Sequence, residues 1–281
     1  MSFRYRNLPL TMFVGLGLVL TAGAQPAAGQ NFVSTQPRER VEYWQKRLAE
    51  ITSQLQQERT LTAVRLVFLG DSITDFWTMA ENPWFPGQRM GRTVWNESFA
   101  GSSRQNLALN LGISGDRTEH VLRRILPRGA GGLGELDAVD LNPDFVIILV
   151  GVNNTWDAET PVVESVLAGI RAVVEAVHER KPRARVILQS LLPLQDEAKN
   201  QAVIQPVNRR LRDLTGSAPL SAYTTFLDLY PAFVDSTGRQ IADRFADGVH
   251  PNESGYRAWR GLLVPALDRV RAAGLNTPVA R

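Results

Sequence analysis

The 281-residue sequence contains no cysteine, which excludes disulfides, a lipid-modified cysteine and a thiol nucleophile and leaves stability to packing. Histidine is nearly as scarce. His120, His178 and His250 are the whole set, and without cysteine or a His-x-x-x-His pair a zinc site lacks ligands, so neither a metal nor another cofactor is expected. No run of basic residues interleaved with aromatics suggests a nucleic-acid groove. The Gly-rich stretch at 129–134 lacks the lysine and Ser/Thr of a phosphate-binding loop. The apolar stretch at 8–20 is shorter than the ~20 residues a bilayer span needs.

That stretch follows Arg4 and Arg6 and precedes Ala22-Gly23-Ala24, the three-part layout of a secretory signal. Residues 1–24 are therefore expected to be a leader, cut after Ala24 or Ala28, that sends the protein to the periplasm or out of the cell without stable membrane insertion. Without the two leader arginines, 29 Lys and Arg face 28 Asp and Glu, so the basic isoelectric point is weak evidence for an acidic partner. Residues 25–36, rich in Ala, Gln, Pro and Ser, read as a flexible lead-in. The remainder, 37–281, is long enough for one sizeable core, and a single α/β domain is expected there. The sequence carries no signature of oligomeric state.

Val41, Trp44, Leu48, Ile51 and Leu55 recur at helical spacing, which predicts an accessory helix over about 38–60. Beyond it, short β-rich runs at 64–69, 107–111, 144–150, 185–191 and 224–229 are separated by helical patterns, the clearest at 161–181 and 253–272. The alternation predicts a parallel sheet covered on both faces. The 145–150 run is apolar without alternation, as a central strand buried on both faces should be. The long connection 75–105 contains Trp77, Trp84, Phe85 and Trp95. Segments of that length serve as lids or binding walls, or bury their aromatics in a satellite core.

Four short segments sit where predicted strands end, the edge at which such sheets bind ligands. Gly70-Asp71-Ser72 puts a hydroxyl at the end of the first strand, and Asp247-Gly248-Val249-His250 supplies a carboxylate and an imidazole three positions apart. Each alone has an ordinary reading, as a turn or as a helix cap or ion site. Together they hold the residue types of a serine nucleophile with its base and orienting acid. Leu111-Gly112-Ile113-Ser114-Gly115-Asp116 and Gly151-Val152-Asn153-Asn154 follow two other strands. Gly115 can bring a backbone N–H close to a developing oxyanion and Asn153 can offer its amide. Asp116 with Glu119 can equally open a helix, and the two asparagines can simply close a strand. Of the histidines, His178 lies at a helix end and His120 in a first turn, whereas His250 has an acid at useful spacing.

This ordered set resembles the GDSL/SGNH hydrolase superfamily over about residues 64–270. Asn110 to Leu122 and the pair Asn153-Asn154 are similar to the catalytic subunits of the intracellular platelet-activating-factor acetylhydrolase type. The resemblance implies a flavodoxin-like three-layer α/β/α fold with a five-stranded parallel sheet. It makes Ser72 the nucleophile, His250 the base and Asp247 the orienting acid, with Ser72, Gly115 and Asn153 around the oxyanion. Asp71, Asn154, Trp77 and Trp84 are expected at the pocket. Many members carry Asp where this chain has Asn154.

The expected activity is hydrolysis of short-chain, foremost acetyl, carboxylic esters by a secreted serine esterase, with a small-molecule or glycan ester as partner. One alternative keeps the residues and takes acetylated carbohydrate, stacked on tryptophans of the 75–105 segment. Another, from a different class, is a catalytically inert glycan- or protein-binding module.

Overall fold

The computed structural model describes residues 31–40, 43–156 and 159–274. The expected leader, residues 25–30 of the lead-in and Val41 lie outside them. Five strands, β1 (Leu66–Gly70), β2 (Ala108–Gly112), β3 (Phe145–Leu149), β4 (Arg185–Gln189) and β5 (Thr224–Leu227), form a parallel sheet in the order β2-β1-β3-β4-β5. Every residue of β1 and β3 is buried, which is why these runs carry no polar alternation.

Among the helices are α1 (Tyr43–Leu55), α2 (Ser72–Asp75), α3 (Arg92–Ser98), α4 (Thr118–Ile125), α5 (Val162–Arg180), α6 (Gln205–Thr215) and α7 (Glu253–Ala272). Neighbours α4, α5 and α6 pack side by side, and α3 packs on α7, as right-handed crossovers on both faces of this strand order require. The result is a three-layer α/β/α fold. Its strand order reverses beside β1, and the register pairs Gly70 with both Gly112 and Leu149. Three strand ends therefore finish in one row, and the segments after them share one edge.

The accessory helix is shorter than 38–60: α1 stops at Leu55 and a further turn covers Glu58–Leu61. Trp44 and Ile51 are its buried apolar residues, and Arg47 is buried between them. The described part of the lead-in is docked, because the Ser34 hydroxyl donates to the Ser165 carbonyl at 2.7 Å and the Ser34 carbonyl accepts from Thr118 Oγ1 at 2.7 Å.

The 75–105 connection contains α3 and contributes Trp77, Met90, Val94, Trp95 and Phe99 to the core. Trp77, expected at the pocket, is fully buried, with ring centroids 4.5 Å from Tyr256 and 5.0 Å from Trp259. Its indole joins this connection to α7, and burial of that area stabilises the core by about 2–3 kcal/mol.

Candidate active site

The first strand can end close to its neighbour because residue 70 is glycine: a Cβ there would lie 2.2 Å from the Leu149 carbonyl oxygen. The chain then turns at once into α2. Asp71 caps that turn, its Oδ1 accepting from the Ile73 N–H at 3.0 Å, and its carbonyl accepts from the N–H groups of Thr74 and Asp75. Ser72 thus occupies the first helical position, where backbone N–H groups have no partner within the helix. Asp71 itself is wholly buried and does not line a pocket, contrary to expectation. Its Oδ2 has no hydrogen-bond partner among the described residues, and burial pushes the carboxyl up to about 8.

Residues 178 positions apart in the chain meet above this turn. His250 Nε2 lies 2.9 Å from Ser72 Oγ, and His250 Nδ1 lies 2.9 Å from Asp247 Oδ2. The Asp247 Oδ1 accepts from the backbone N–H of Val249 at 2.7 Å and of His250 at 2.6 Å. Burial pushes this carboxyl up, but the hydrogen bonds from the His250 ring and backbone outweigh it and hold the group below its ordinary value. The loop is closed by the Ala246 N–H donating to the His250 carbonyl and by a bridge between Phe245 and Pro251. Phe76 and Phe85 pack on the imidazole, with centroids 5.1 and 5.2 Å away. Trp84 sits beyond Phe76, half exposed at the rim.

The loop after β2 brings Gly115 to the same edge in the left-handed conformation, φ +79°, which suits glycine. The N–H groups of Ser72 and Gly115 make no hydrogen bond among the described residues. From the loop after β3, Asn153 Nδ2 donates to the Asp116 carbonyl at 2.8 Å. One amide hydrogen is thereby used to aim the side chain, and the second remains for a ligand. Asn154 turns inward instead of lining the pocket: its Oδ1 accepts from the Thr118 N–H at 3.1 Å and its Nδ2 donates to Glu119 Oε2 at 2.9 Å.

The other histidines stand apart from this arrangement. His120 Nδ1 accepts from the Arg117 N–H at 3.0 Å, and burial together with Arg40, Arg117 and Arg38 pushes the ring down to about 3. It is neutral at any ordinary pH. His178 stacks on Tyr223 at 3.6 Å.

Sequence reasoning missed the buried charges that hold these loops. Asp75 accepts from Arg47 Nε at 3.0 Å on one oxygen, and from the Tyr43 hydroxyl, the Ser114 N–H and the Ser114 hydroxyl on the other. Arg124, fully buried, donates to Asp116 at 2.9 Å, Glu135 at 2.6 Å and the Leu111 carbonyl at 2.8 Å. Burial pushes the Asp116 carboxyl up to about 7, although Arg124 and Arg40 pull it down. The signal was present in part: Arg47 sits on the apolar stripe between Trp44 and Ile51, and Arg124 sits between Leu122 and Ile125.

A hydroxyl, an imidazole and a carboxylate in this chain can pass a proton from the serine to a departing group, and donors on two neighbouring loops can receive negative charge. A model of the GDSL-like lipase/acylhydrolase family matches residues 68–258. The chain is 33% identical over 215 residues to platelet-activating factor acetylhydrolase IB subunit alpha1 of Bos taurus, covering 74% of this chain and 79% of that one. It is 30% identical over 192 residues to the alpha2 subunit of Rattus norvegicus, covering 68% and 70%. Among solved structures, a GDSL-like lipase from Bacteroides thetaiotaomicron shares the fold at a TM-score of 0.55 and 21% identity, covering 79% of this chain and 98% of that one. A carbohydrate esterase family 3 protein from Talaromyces cellulolyticus shares it at 0.50 and 20% identity, covering 74% and 97%.

Proposed function

The chain belongs to the GDSL-like lipase/acylhydrolase family and is a carboxylic ester hydrolase, and we propose that Ser72, His250 and Asp247 are its catalytic triad. The observation that carries this reading is the 2.9 Å separation of Ser72 Oγ and His250 Nε2. That separation is within proton-transfer reach.

In the proposed reaction His250 Nε2 takes the Ser72 proton as Oγ attacks the ester carbonyl. Asp247 holds the ring with Nδ1–H toward itself and stabilises the imidazolium. The oxyanion accepts from the Ser72 and Gly115 N–H groups and the free hydrogen of the Asn153 amide, each such donor being worth about 2.7–4 kcal/mol of barrier. The imidazolium then protonates the departing alcohol, and water, deprotonated by His250, releases the acyl group from Ser72.

A short acyl group is supported by Phe76 and Phe85 packed against the histidine, by the lack of a large apolar insertion, and by the acetylhydrolase name of the curated relatives. The signal-like layout of residues 1–24 supports action after export.

A fluorophosphonate probe tests the nucleophile. Labelling mapped to Ser72, and lost in Ser72→Ala, is the expected result. Folded protein that stays unlabelled would favour the inert binding module.

A further inference from the structure

The Gly115 N–H belongs to a peptide unit that it shares with the Ser114 carbonyl. In a trans peptide these two groups point in opposite directions in one plane, so whatever holds the carbonyl also aims the N–H. That holder is Arg40. Its Nη1 donates to the Ser114 carbonyl at 2.8 Å and reaches Asp116 Oδ1 at 3.4 Å. The guanidinium is packed against Gly115 itself: a Cβ there would lie 2.6 Å from Arg40 Nη2 and 3.0 Å from Cζ. Glycine at 115 therefore serves twice, adopting φ +79° and admitting the guanidinium.

Arg40 comes from the segment before α1, 74 positions from Ser114, and that segment is fastened to α4, α5 and Glu159. The Glu159 carboxylate accepts from the N–H groups of Val33 and Ser34. Ser34 bonds to Ser165 and Thr118, and the Arg38 N–H donates to the Glu119 carbonyl at 3.0 Å. A Cβ on Gly169 would lie 2.8 Å from the Ser34 carbonyl oxygen, so α5 has a glycine where the segment lies on it. Anchored this way, the chain delivers Arg40 to the loop with little freedom left.

Ser114 is held from the other direction as well. Its N–H and its hydroxyl both donate to Asp75 Oδ2 at 3.0 Å, so the residue cannot rotate without losing a charged partner on one side or the other. The two clamps differ in burial. Asp75 is buried with Arg47, whereas the Arg40 side chain is 29% exposed. Asp116 keeps the Arg124 guanidinium at 2.9 Å, so replacing Arg40 leaves no buried charge without a partner. A cation donating to a carbonyl also draws electron density from the amide, which makes the N–H of the same unit a stronger donor.

We propose that Arg40 is a positioning residue for ester hydrolysis, fixing and polarising the Ser114–Gly115 peptide so that the Gly115 N–H is aimed at the developing oxyanion. The role rests on the assignment of Ser72 as nucleophile and of the Gly115 N–H as an oxyanion donor. Arg40 acts through that peptide unit and is not itself a catalytic residue.

Arg40→Met, Arg40→Gln and Arg40→Lys in the full chain test it, with 4-nitrophenyl acetate as substrate. Because the oxyanion forms only beyond the ground state, the loss should fall on kcat, about tenfold in Arg40→Met and Arg40→Gln, with KM within about twofold of wild type. Arg40→Lys keeps a charged donor and should recover most of the loss. Circular dichroism and Tm establish that each variant is folded; a merely structural role would lower activity in step with Tm and would not single out the charged side chain. A folded Arg40→Met with kcat within about twofold of wild type overturns the proposal, and so does Arg40→Lys no more active than Arg40→Gln. Should Arg40→Met fail to fold, the comparison of Gln with Lys decides by the same criterion. Wild type that neither turns over ester nor takes the fluorophosphonate label at Ser72 overturns the triad and this role together. Wild type that does both, matched by Arg40→Met, overturns this role alone.

Discussion

The Tyr256 hydroxyl donates to the Ile73 carbonyl at 2.8 Å across 183 positions of sequence. It fastens α7, which continues from the histidine loop, to the turn that carries Ser72. Two segments that must agree within a few tenths of an ångström are thus joined by a buried hydrogen bond next to both. Tyr256→Phe keeps the ring against Trp77 and removes only the donor. Urea unfolding should show a loss of about 1–2 kcal/mol, and kcat should fall more than KM changes. A variant with wild-type stability and kcat would mean that packing alone aligns the two segments.

Asn153→Ala should lower kcat about 10²–10³-fold with the fold intact by circular dichroism. Asn153→Asp, which keeps the shape but loses the donor when ionised, should do no better. If kcat stays within about threefold of wild type, the amide does not serve the oxyanion.

The buried Arg124 sits between two carboxylates and a strand end. Arg124→Met leaves Asp116 and Glu135 buried without their cation, so a loss of about 3–5 kcal/mol in chemical denaturation is expected. Asp116 follows Gly115 directly, so esterase activity should also fall in whatever fraction remains folded. A neutral effect on stability would show that water reaches these carboxylates.

Asp71 makes stability depend on pH in a direction opposite to that of a salt-bridged acid. Its carboxyl ionises near 3.8 when free and at about 8 when buried in the fold. Between those values the folded chain holds a proton that the unfolded chain has released, so this group's contribution falls as pH rises from 3.8 to about 8. Asp71→Asn removes the titration and preserves an acceptor for the Ile73 N–H. Its Tm relative to wild type should therefore climb across that window and level off above it. A difference independent of pH would show that Asp71 is ionised in the folded protein.

The strands were legible to within a residue or two because buried parallel strands are continuous apolar runs bounded by turn residues, as at Phe145–Leu149. The site's ends were legible for a related reason: Ser72, Gly115, Asn153 and His250 follow strands directly or lie on one loop, so topology alone brings them to one edge. What stayed hidden depends on what packs against what. The buried side of α6 includes Asn208, whose carboxamide closes hydrogen bonds with the Leu191 N–H and carbonyl, so its apolar periodicity is diluted. Trp77 and Trp84 are seven positions apart and indistinguishable by composition, yet one is core and the other is half exposed. The roles of Arg47, Asp75 and Arg124 stayed hidden because only the folded partners show that they are paired inside.

The most direct test is ester turnover by purified Ser72→Ala. With 4-nitrophenyl acetate as substrate and circular dichroism matching the wild type, kcat should drop by several orders of magnitude, up to about 10⁶-fold, because His250 and Asp247 act through that hydroxyl. Turnover within about tenfold of wild type would contradict the nucleophile assignment.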